Sequence, residues 1–184
     1  MQLIVELPVD AEEYISQKFQ HNITAPAACP HCRACASLQA LGYYLRNITG
    51  RKAVALTISV RRFRCKACKK TVSILPAFAQ PYRLVRNHAI HRYFCGHRND
   101  GDTKPWRVLL RRYWKKFCWW VSRPDAVWHS RLDHAPPPRS AAAWWELVVD
   151  TFGGMIVATR ILVSDSQVTL FGRYRCHRPN APPG

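Results

Sequence analysis

Two pairs of cysteines with the spacing C-x-x-C constrain this chain of 184 residues more than any other feature. The first pair is Cys29 and Cys32, and the second is Cys65 and Cys68. Such pairs suit a tetrahedral structural Zn²⁺ site, because the short spacing lets both sulfurs of one tight turn reach the same ion. The pairs are separated by 32 residues, more than the roughly 15–20 of the commonest four-cysteine pattern. We therefore expect a zinc ribbon in which an elongated β-hairpin joins two metal-binding turns, here called knuckles.

The cysteine pairs have three alternative interpretations: a redox-active C-x-x-C, a disulfide, or buried thiols that bind nothing. A thioredoxin-like redox site needs a single pair in a βαβ pattern, and the sequence shows no such pattern. Eight cysteines in a chain that we expect to be intracellular favour metal ligation over disulfides. Iron is an alternative ion for the same four thiolates.

The first knuckle contains two further residues that can bind a metal. Cys35 extends the motif to C-x-x-C-x-x-C, and His31 lies inside it. Either side chain could replace one of the four proposed ligands. We prefer Cys29 and Cys32, because the partner pair is already complete, and expect Cys35 to be a spare buried thiol.

Positive charge is concentrated in the part of the chain that contains the cysteine pairs. The formal net charge is +17, and residues 31–123 carry 21 lysines and arginines against only Asp100 and Asp102. A domain with this much positive charge attracts polyanions, of which nucleic acid is the usual one. A well-solvated basic surface is the alternative, but the cations are interleaved with aromatic residues and do not form a tail.

Residues 41–48 and 53–64 predict the two strands of the hairpin, with a turn around Gly50. The second segment alternates with the period of a half-buried strand, which places Ile58 and Val60 on one face. This strand leads directly into the second knuckle, where basic residues are dense. We expect these residues to contact DNA phosphates, and the alternative is a charged edge that prevents sheet-to-sheet aggregation. They are Arg61, Arg62, Arg64, Lys66, Lys69 and Lys70.

Two basic helices are predicted after the ribbon, at residues 84–94 and 106–122. In the second helix, apolar residues such as Leu110 and Phe117 recur on one face and cations occupy another. Such a helix can pack its aromatic side on the protein and present its basic side to phosphates. A core helix with a basic exterior and a helix on an anionic membrane surface are the alternatives. The additional predicted nucleic-acid contacts are Arg83, Arg111, Arg112, Lys115 and Lys116.

The remaining elements complete an α+β fold: a small zinc-ribbon β-hairpin domain followed by basic helices and a C-terminal α/β segment. Further predicted elements are a strand at 2–8, a helix at 11–20 capped by Asp10, a helix at 141–152 capped by Ser140, and strands at 155–163 and 167–171. The predicted parts are a lead-in at 1–26, the zinc ribbon at 27–80, a basic helical region at 81–123, a proline-rich linker at 124–140 and a C-terminal appendage at 141–184.

Residues 27–95 resemble the N-terminal zinc ribbon of bacterial insertion-sequence transposases and their short relatives. The similar features are the CPHC knuckle, a strand with Gly42, Tyr43 and Arg46, and the basic segment R-F-R-C-K-A-C. A segment T-V-S-I-L-P-A-F and then P-Y-R follow in the same order. The resemblance implies a zinc-stabilised head that binds DNA or a protein partner, and does not imply strand-transfer activity.

Catalysis is not expected from this chain. A transposase that cuts and joins DNA needs three carboxylates holding two metal ions on an RNase-H-like sheet. The carboxylates after residue 95 do not end a series of strands, and fewer than 90 residues remain. The catalytic region of full-length relatives is therefore not recognisable here.

We expect a zinc-dependent, transposase-related protein that binds duplex DNA and has no catalytic core. A zinc-ribbon module for protein interaction and a truncated transposase remnant without function are the alternatives. A separately encoded transposase or another protein is a further candidate partner. The chain shows no secretory signal and no run of roughly 18 apolar residues that could span a membrane. We therefore expect a cytoplasmic bacterial protein, nucleoid-associated if it binds DNA.

Overall fold

The computed structural model of the protein describes residues 2–81, 83–121, 140–166 and 168–173. Within these ranges the chain is a mixed α+β fold, as the sequence predicts. Its elements are β1 (Gln2–Val5), α1 (Ala11–Ser16), β2 (Leu38–Thr49), β3 (Ala55–Cys65), β4 (Thr71–Pro76), α2 (Asn87–Phe94), α3 (Arg107–Val121), α4 (Ala141–Phe152), α5 (Met155–Ser166), β5 (Val168–Thr169) and β6 (Gly172–Arg173). The predicted linker, apart from its last residue, and the tail after residue 173 lie outside the described residues.

A four-stranded sheet with the strand order β1-β4-β3-β2 contains the predicted hairpin. The strands β2 and β3 pair antiparallel from Leu38 opposite Cys65 to Thr49 opposite Ala55. At about 3.4 Å per residue, the hairpin is roughly 35 Å long. The strand β4, which the sequence analysis did not predict, follows the second knuckle and pairs antiparallel with β3. The lead-in contributes β1, which pairs parallel with β4.

The predicted alternation of β3 holds for only part of the strand. Ile58 and Val60 are buried on the predicted face, but Phe63 and Cys65 are buried on the opposite face. Both faces near the knuckles are therefore covered, and α1 packs beside β3. The Tyr14 hydroxyl of α1 donates a hydrogen bond of 2.8 Å to the carbonyl oxygen of Ser59 in β3.

Helix α1 begins where the sequence predicts and ends earlier. The Asp10 side chain accepts from the backbone N–H of Glu13, and the Glu13 side chain accepts from the backbone N–H of Asp10. This reciprocal capping satisfies two N–H groups that the helix leaves unpaired. The helix stops at Ser16 instead of residue 20, since Lys18 has a left-handed backbone with φ of 50°. A short 3₁₀ turn at Phe19–Asn22 follows.

The helices α2 to α5 form an aromatic core beside the sheet. The rings of Phe94 in α2, Phe117 in α3 and Trp145 in α4 meet at centroid distances of 4.8–5.5 Å. Helix α4 has the predicted ends, with Ser140 as its N-cap and Gly153 in the left-handed conformation after it. No helix within the described ranges is long and apolar enough to cross a lipid bilayer.

The prediction of a strand at residues 155–163 is wrong, because this segment lies in helix α5. The segment is rich in β-branched residues, which favour a strand. In a helix, however, Met155, Ala158 and Leu162 share one face, and all three are buried. Packing of this face against the aromatic core overrides the local strand preference. The second predicted strand, at 167–171, is reduced to the two residues of β5.

The helical layer is joined to the hairpin near its tip, at the end far from the cysteines. The backbone N–H of Thr49 donates to the carbonyl oxygen of Leu84 at 3.0 Å, and the N–H of Leu84 donates to the Tyr113 hydroxyl at 3.3 Å. The backbone N–H of Lys52 donates to the Asp102 carboxylate at 3.2 Å. These contacts lie at the far end of the hairpin from the knuckles, and helix α5 makes a second junction by packing against β1.

We predict that Ile58→Ala lowers the free energy of unfolding by about 2–5 kcal/mol, because it leaves a cavity in the sheet core. Val54→Ala is the matched control, since Val54 is exposed on the same hairpin, and should cost less than about 0.5 kcal/mol. Urea unfolding of the metal-loaded protein measures both. Equal losses in the two variants would contradict the assigned core.

Candidate metal centre

The two knuckles bring four sulfur atoms together at one end of the sheet. The Sγ atoms of Cys29, Cys32, Cys65 and Cys68 all lie within 4.8 Å of one another. The Sγ of Cys29 is 3.8 Å from that of Cys68, and the Sγ of Cys32 is 3.7 Å from that of Cys65. The four residues that the sequence singles out as ligands therefore form a single cluster.

The two knuckles have the same backbone hydrogen bonds. In the first, the N–H of Arg33 donates to the carbonyl oxygen of Cys29, and the N–H of Cys29 donates to that of Ala34. In the second, the N–H of Lys69 donates to the carbonyl oxygen of Cys65, and the N–H of Cys65 donates to the carbonyl oxygen of Lys70.

The fifth residue of each knuckle also has the same backbone conformation. Arg33 and Lys69 both have a positive φ, of 59° and 61°. A non-glycine residue is strained in this region, and such strain persists only where the surroundings impose it. The repeated geometry indicates two equivalent turns built to present paired thiols.

The spacing of the sulfurs fits a bound metal ion and excludes disulfides. A tetrahedron with metal–sulfur bonds of about 2.3 Å has edges of about 3.8 Å, and a disulfide needs about 2.05 Å. The contacts across the two knuckles match the tetrahedral edge. Cys29 and Cys65 are buried, whereas Cys32 is exposed, so the cluster lies at the protein surface with half of its ligands in the interior.

Hydrogen bonds prepare Cys65 for metal binding. The Ser37 hydroxyl lies 3.3 Å from the Cys65 sulfur, and the backbone N–H of Cys68 donates to the same sulfur at 3.4 Å. These two groups lower the pKa of Cys65 to about 6. Although a backbone hydrogen bond at Lys70 lowers the pKa of Cys68, burial and the neighbouring sulfurs raise it to about 11. Ser37 was missed in the sequence, because a serine before a strand has no distinctive pattern.

Cys35 lies outside the cluster, as the ligand choice requires, but the prediction that it is buried is wrong. Its thiol is exposed and lies 3.9 Å from the carbonyl oxygen of Arg33. Cys35 takes part in a bridge with Ala28 that closes the base of the first knuckle. Since side chains alternate along an extended segment, this pairing turns the thiol away from the metal cluster.

The predicted phosphate-binding residues of the hairpin form two groups, one in the second knuckle and one in the part of β3 that leads into it. Arg64, Lys66, Lys69 and Lys70 are exposed. Arg61 and Arg62 are half-buried, with their guanidinium groups over the rings of Tyr43 at 4.6 Å and Tyr44 at 5.9 Å. Among the described residues, none of the six lies within 4.0 Å of a carboxylate.

The other predicted contacts belong to a different part of the fold. Arg111, Arg112, Lys115 and Lys116 form an exposed face of α3, which is joined to the hairpin near Thr49. Arg83 is half-buried, and its guanidinium lies 5.4 Å from the ring of Tyr113 and 5.2 Å from that of Phe171. The structure thus places Arg83 against aromatic rings of the helical layer, and the α3 cations on a layer that joins the hairpin at its far end from the knuckles.

Residues 29–113 match a family described as a domain of unknown function (DUF6431). The matched region begins at the first cysteine of the cluster and ends at Tyr113 within α3. It includes both knuckles, three strands of the sheet and α2, but fewer than half of the residues of the chain. Comparison with curated proteins and with solved structures gave no match. The similarity to this family therefore identifies a segment that the chain shares with other proteins, but it indicates no activity.

We predict that the purified protein binds one metal ion per chain through the four cysteines. Cys65→Ser should abolish this binding, because it removes a buried ligand, whereas Cys35→Ser should retain it. Metal content and the absorption spectrum of the Co²⁺-substituted protein measure both variants. Equal metal content in the two variants would disprove the assigned ligand set.

We also predict that the apparent metal affinity rises with pH between about 7 and 9. Metal binding must displace the proton that Cys68 keeps in this range, because its pKa of about 11 lies above it. Each proton displaced makes the apparent affinity rise about tenfold per pH unit. Competition with a chelator of known affinity measures the slope, and an affinity that does not change with pH would contradict the prediction.

Proposed function

We propose that this chain is a zinc-ribbon protein that binds duplex DNA and that zinc holds the DNA-binding surface in shape. The observation that carries the proposal is the position of the four-cysteine cluster beside six cations that have no carboxylate partner among the described residues. The two features occupy the same end of the sheet. Loss of the metal would therefore disturb the surface that carries the charge.

The ligand set supports zinc in a structural role. Four cysteines from two C-x-x-C turns complete a tetrahedral shell and leave no open position for water or a substrate. A closed shell of this type stabilises a fold and does not supply catalysis. The knuckles also contribute few apolar side chains of their own, so a bound ion would strengthen the link that the backbone pairing of Leu38 with Cys65 provides.

Charge and exposure support DNA as the partner. The exposed cations of the second knuckle are Lys66, Lys69 and Lys70, and Arg64 lies at the end of β3 next to them. Flexible cations without carboxylate partners bind phosphates and release counterions from the duplex. The two acidic residues of the basic region are already engaged, Asp100 by Arg92 and Asp102 by Arg86, so neither neutralises the knuckle.

The face of α3 supplies a second set of candidate contacts. Its four cations are exposed, with no carboxylate within 4.0 Å in the described part of the chain. About 30 Å of strand separates Thr49, near which α3 is attached, from Gln39, which pairs with Arg64 at the knuckle end. We infer that the two sets contact separate phosphates and that neither substitutes for the other.

The proposed link to transposases rests on the resemblance of residues 27–95 to their N-terminal zinc ribbons. In this proposal the chain recognises or holds DNA, and any cutting and joining belongs to a separate protein. Glu146 and Asp150, the carboxylates one turn apart in α4, are both exposed. We assign them no catalytic role.

We predict that duplex binding weakens steeply as salt concentration rises and is lost when zinc is chelated. Lys66→Ala should reduce the magnitude of the slope of log K against log salt by about 0.9, since it removes one phosphate contact. Arg160→Ala is the matched control, because it also removes one positive charge. Arg160 lies on α5 and pairs with Glu6 at the surface, away from the knuckle, so its loss should leave the slope unchanged.

Fluorescence anisotropy with a labelled duplex across a salt series measures all three proteins. Weak binding that is flat in salt would overturn the DNA proposal. Equal effects of the two variants would show that binding depends on net charge alone and not on the knuckle. Binding that survives complete zinc removal would overturn the structural role of the metal.

A further inference from the structure

The outer strand of the sheet is long, and among the described residues it has no strand partner on one side. Within the described residues, only β3 pairs with the twelve-residue strand β2. An edge of this kind presents backbone N–H and C=O groups that can pair with another chain. A bulge between Ala40 and Gly42 interrupts its first part, so the regular edge begins at Tyr43.

This edge lacks most of the features that usually protect such strands. Proteins commonly place lysine, proline or inward-pointing charges on an exposed edge. The segment Leu38–Thr49 contains no proline or acidic residue, and its one charged residue is Arg46. The Arg46 guanidinium donates to the carbonyl oxygens of Gln80 and Arg83, so its charge is directed into the protein.

The exposed face of the same strand is apolar. Leu45 has 73% of its surface exposed and Leu41 has 46%. Tyr43 lies between them and is also exposed. Tyr43 and Leu45 are two residues apart after the bulge, so they project from one face of β2. An added strand would find apolar contacts at the spacing of its own alternate side chains.

The charges around this face favour an acidic partner. The Arg61 guanidinium lies over the Tyr43 ring, and Arg62 lies over Tyr44 on the other face. Neither arginine has a carboxylate partner among the described residues. A second copy of the chain would bring another charge of +17 to this surface and would be repelled.

We propose that β2 accepts an extended, acidic segment of a partner protein as a fifth strand. The backbone of the segment pairs with the free edge from Tyr43 onward. Its alternate apolar side chains contact Tyr43 and Leu45, and its carboxylates, which point to the opposite face, approach Arg62 beside Tyr44. Strand addition of this kind takes affinity from backbone hydrogen bonds and specificity from alternate side chains.

The probe is a short blocked peptide of alternating glutamate and valine, added to the zinc-loaded protein. Hydrogen exchange should show new protection of the outward-facing amides of β2 when the peptide binds. The same peptide with lysine in place of glutamate should bind at least about tenfold more weakly, because it is repelled by the basic surface.

Leu45→Glu should reduce affinity for the acidic peptide at least about tenfold, since it removes an apolar contact and adds a like charge. Val108→Glu is the matched control, because Val108 is 70% exposed on α3 and the change in charge is the same. It should bind the peptide as the parent protein does. Both positions are exposed, so neither substitution is expected to unfold the protein.

Three outcomes would overturn the proposal. The first is equal loss of binding in the two variants, and the second is peptide binding without protection of β2. The third is protection of β2 that depends on protein concentration in the absence of peptide, which would assign the edge to a second copy. The experiment contains no DNA, so its failure leaves the proposed DNA-binding function unaffected.

Discussion

The tetrahedral cluster of four cysteines is the constraint on which the knuckle end of the sheet depends. It brings together the turn before β2 and the turn between β3 and β4, so an ion bound there would tie the start of β2 to the end of β3 and the start of β4. Each knuckle holds its fifth residue, Arg33 or Lys69, in a left-handed conformation. That conformation is unfavourable for a side chain, and thiolate–metal bonds at the cluster would offset its cost.

The long hairpin transmits this constraint to the rest of the fold. One end carries the cysteines and their cations, while the other is joined through Thr49, Leu84 and Tyr113 to the helical layer. The helical layer has its own aromatic core around Phe117 and Trp145, and its helix α5 also reaches the sheet core through Val163. The basic surfaces at the knuckles and on α3 therefore lie on different parts of the fold, the first on the sheet and the second on the helical layer.

Positive charge, and a strand edge left unpaired by the described residues, are the two features of this sheet on which the proposed interactions rest. The exposed cations beside the cysteines are suited to phosphates, because phosphate binding depends on positive charge more than on shape complementarity. The edge of β2, with Leu45 and Tyr43 on its face, is suited to an extended chain, which needs backbone groups and apolar contacts. The two surfaces meet at Arg61. This residue belongs to β3, and its guanidinium lies over the ring of Tyr43 in the edge strand β2.

The sequence predicts structure correctly where the interacting residues lie close together in one turn, helix end or strand. The spacing of the cysteine pairs identified the four members of the cluster, since each pair lies in one tight turn. Asp10 and Ser140 marked helix starts correctly, because capping involves residues only three positions apart. The hairpin strands were found within three residues at each end, as period-two patterns extend over many residues.

The members of the cysteine cluster, the concentration of positive charge and the hairpin follow from the sequence, because they depend on residue spacing and composition. Tertiary structure alone decided that β1 adds to β4, since parallel pairing joins segments far apart in sequence. It also made residues 155–166 a helix, because burial of Met155 and Leu162 in a common core outweighs the strand preference of their β-branched neighbours. Likewise, only the folded chain separates Arg83 from the surface cations, because the rings that enclose it come from α3 and the loop before β6.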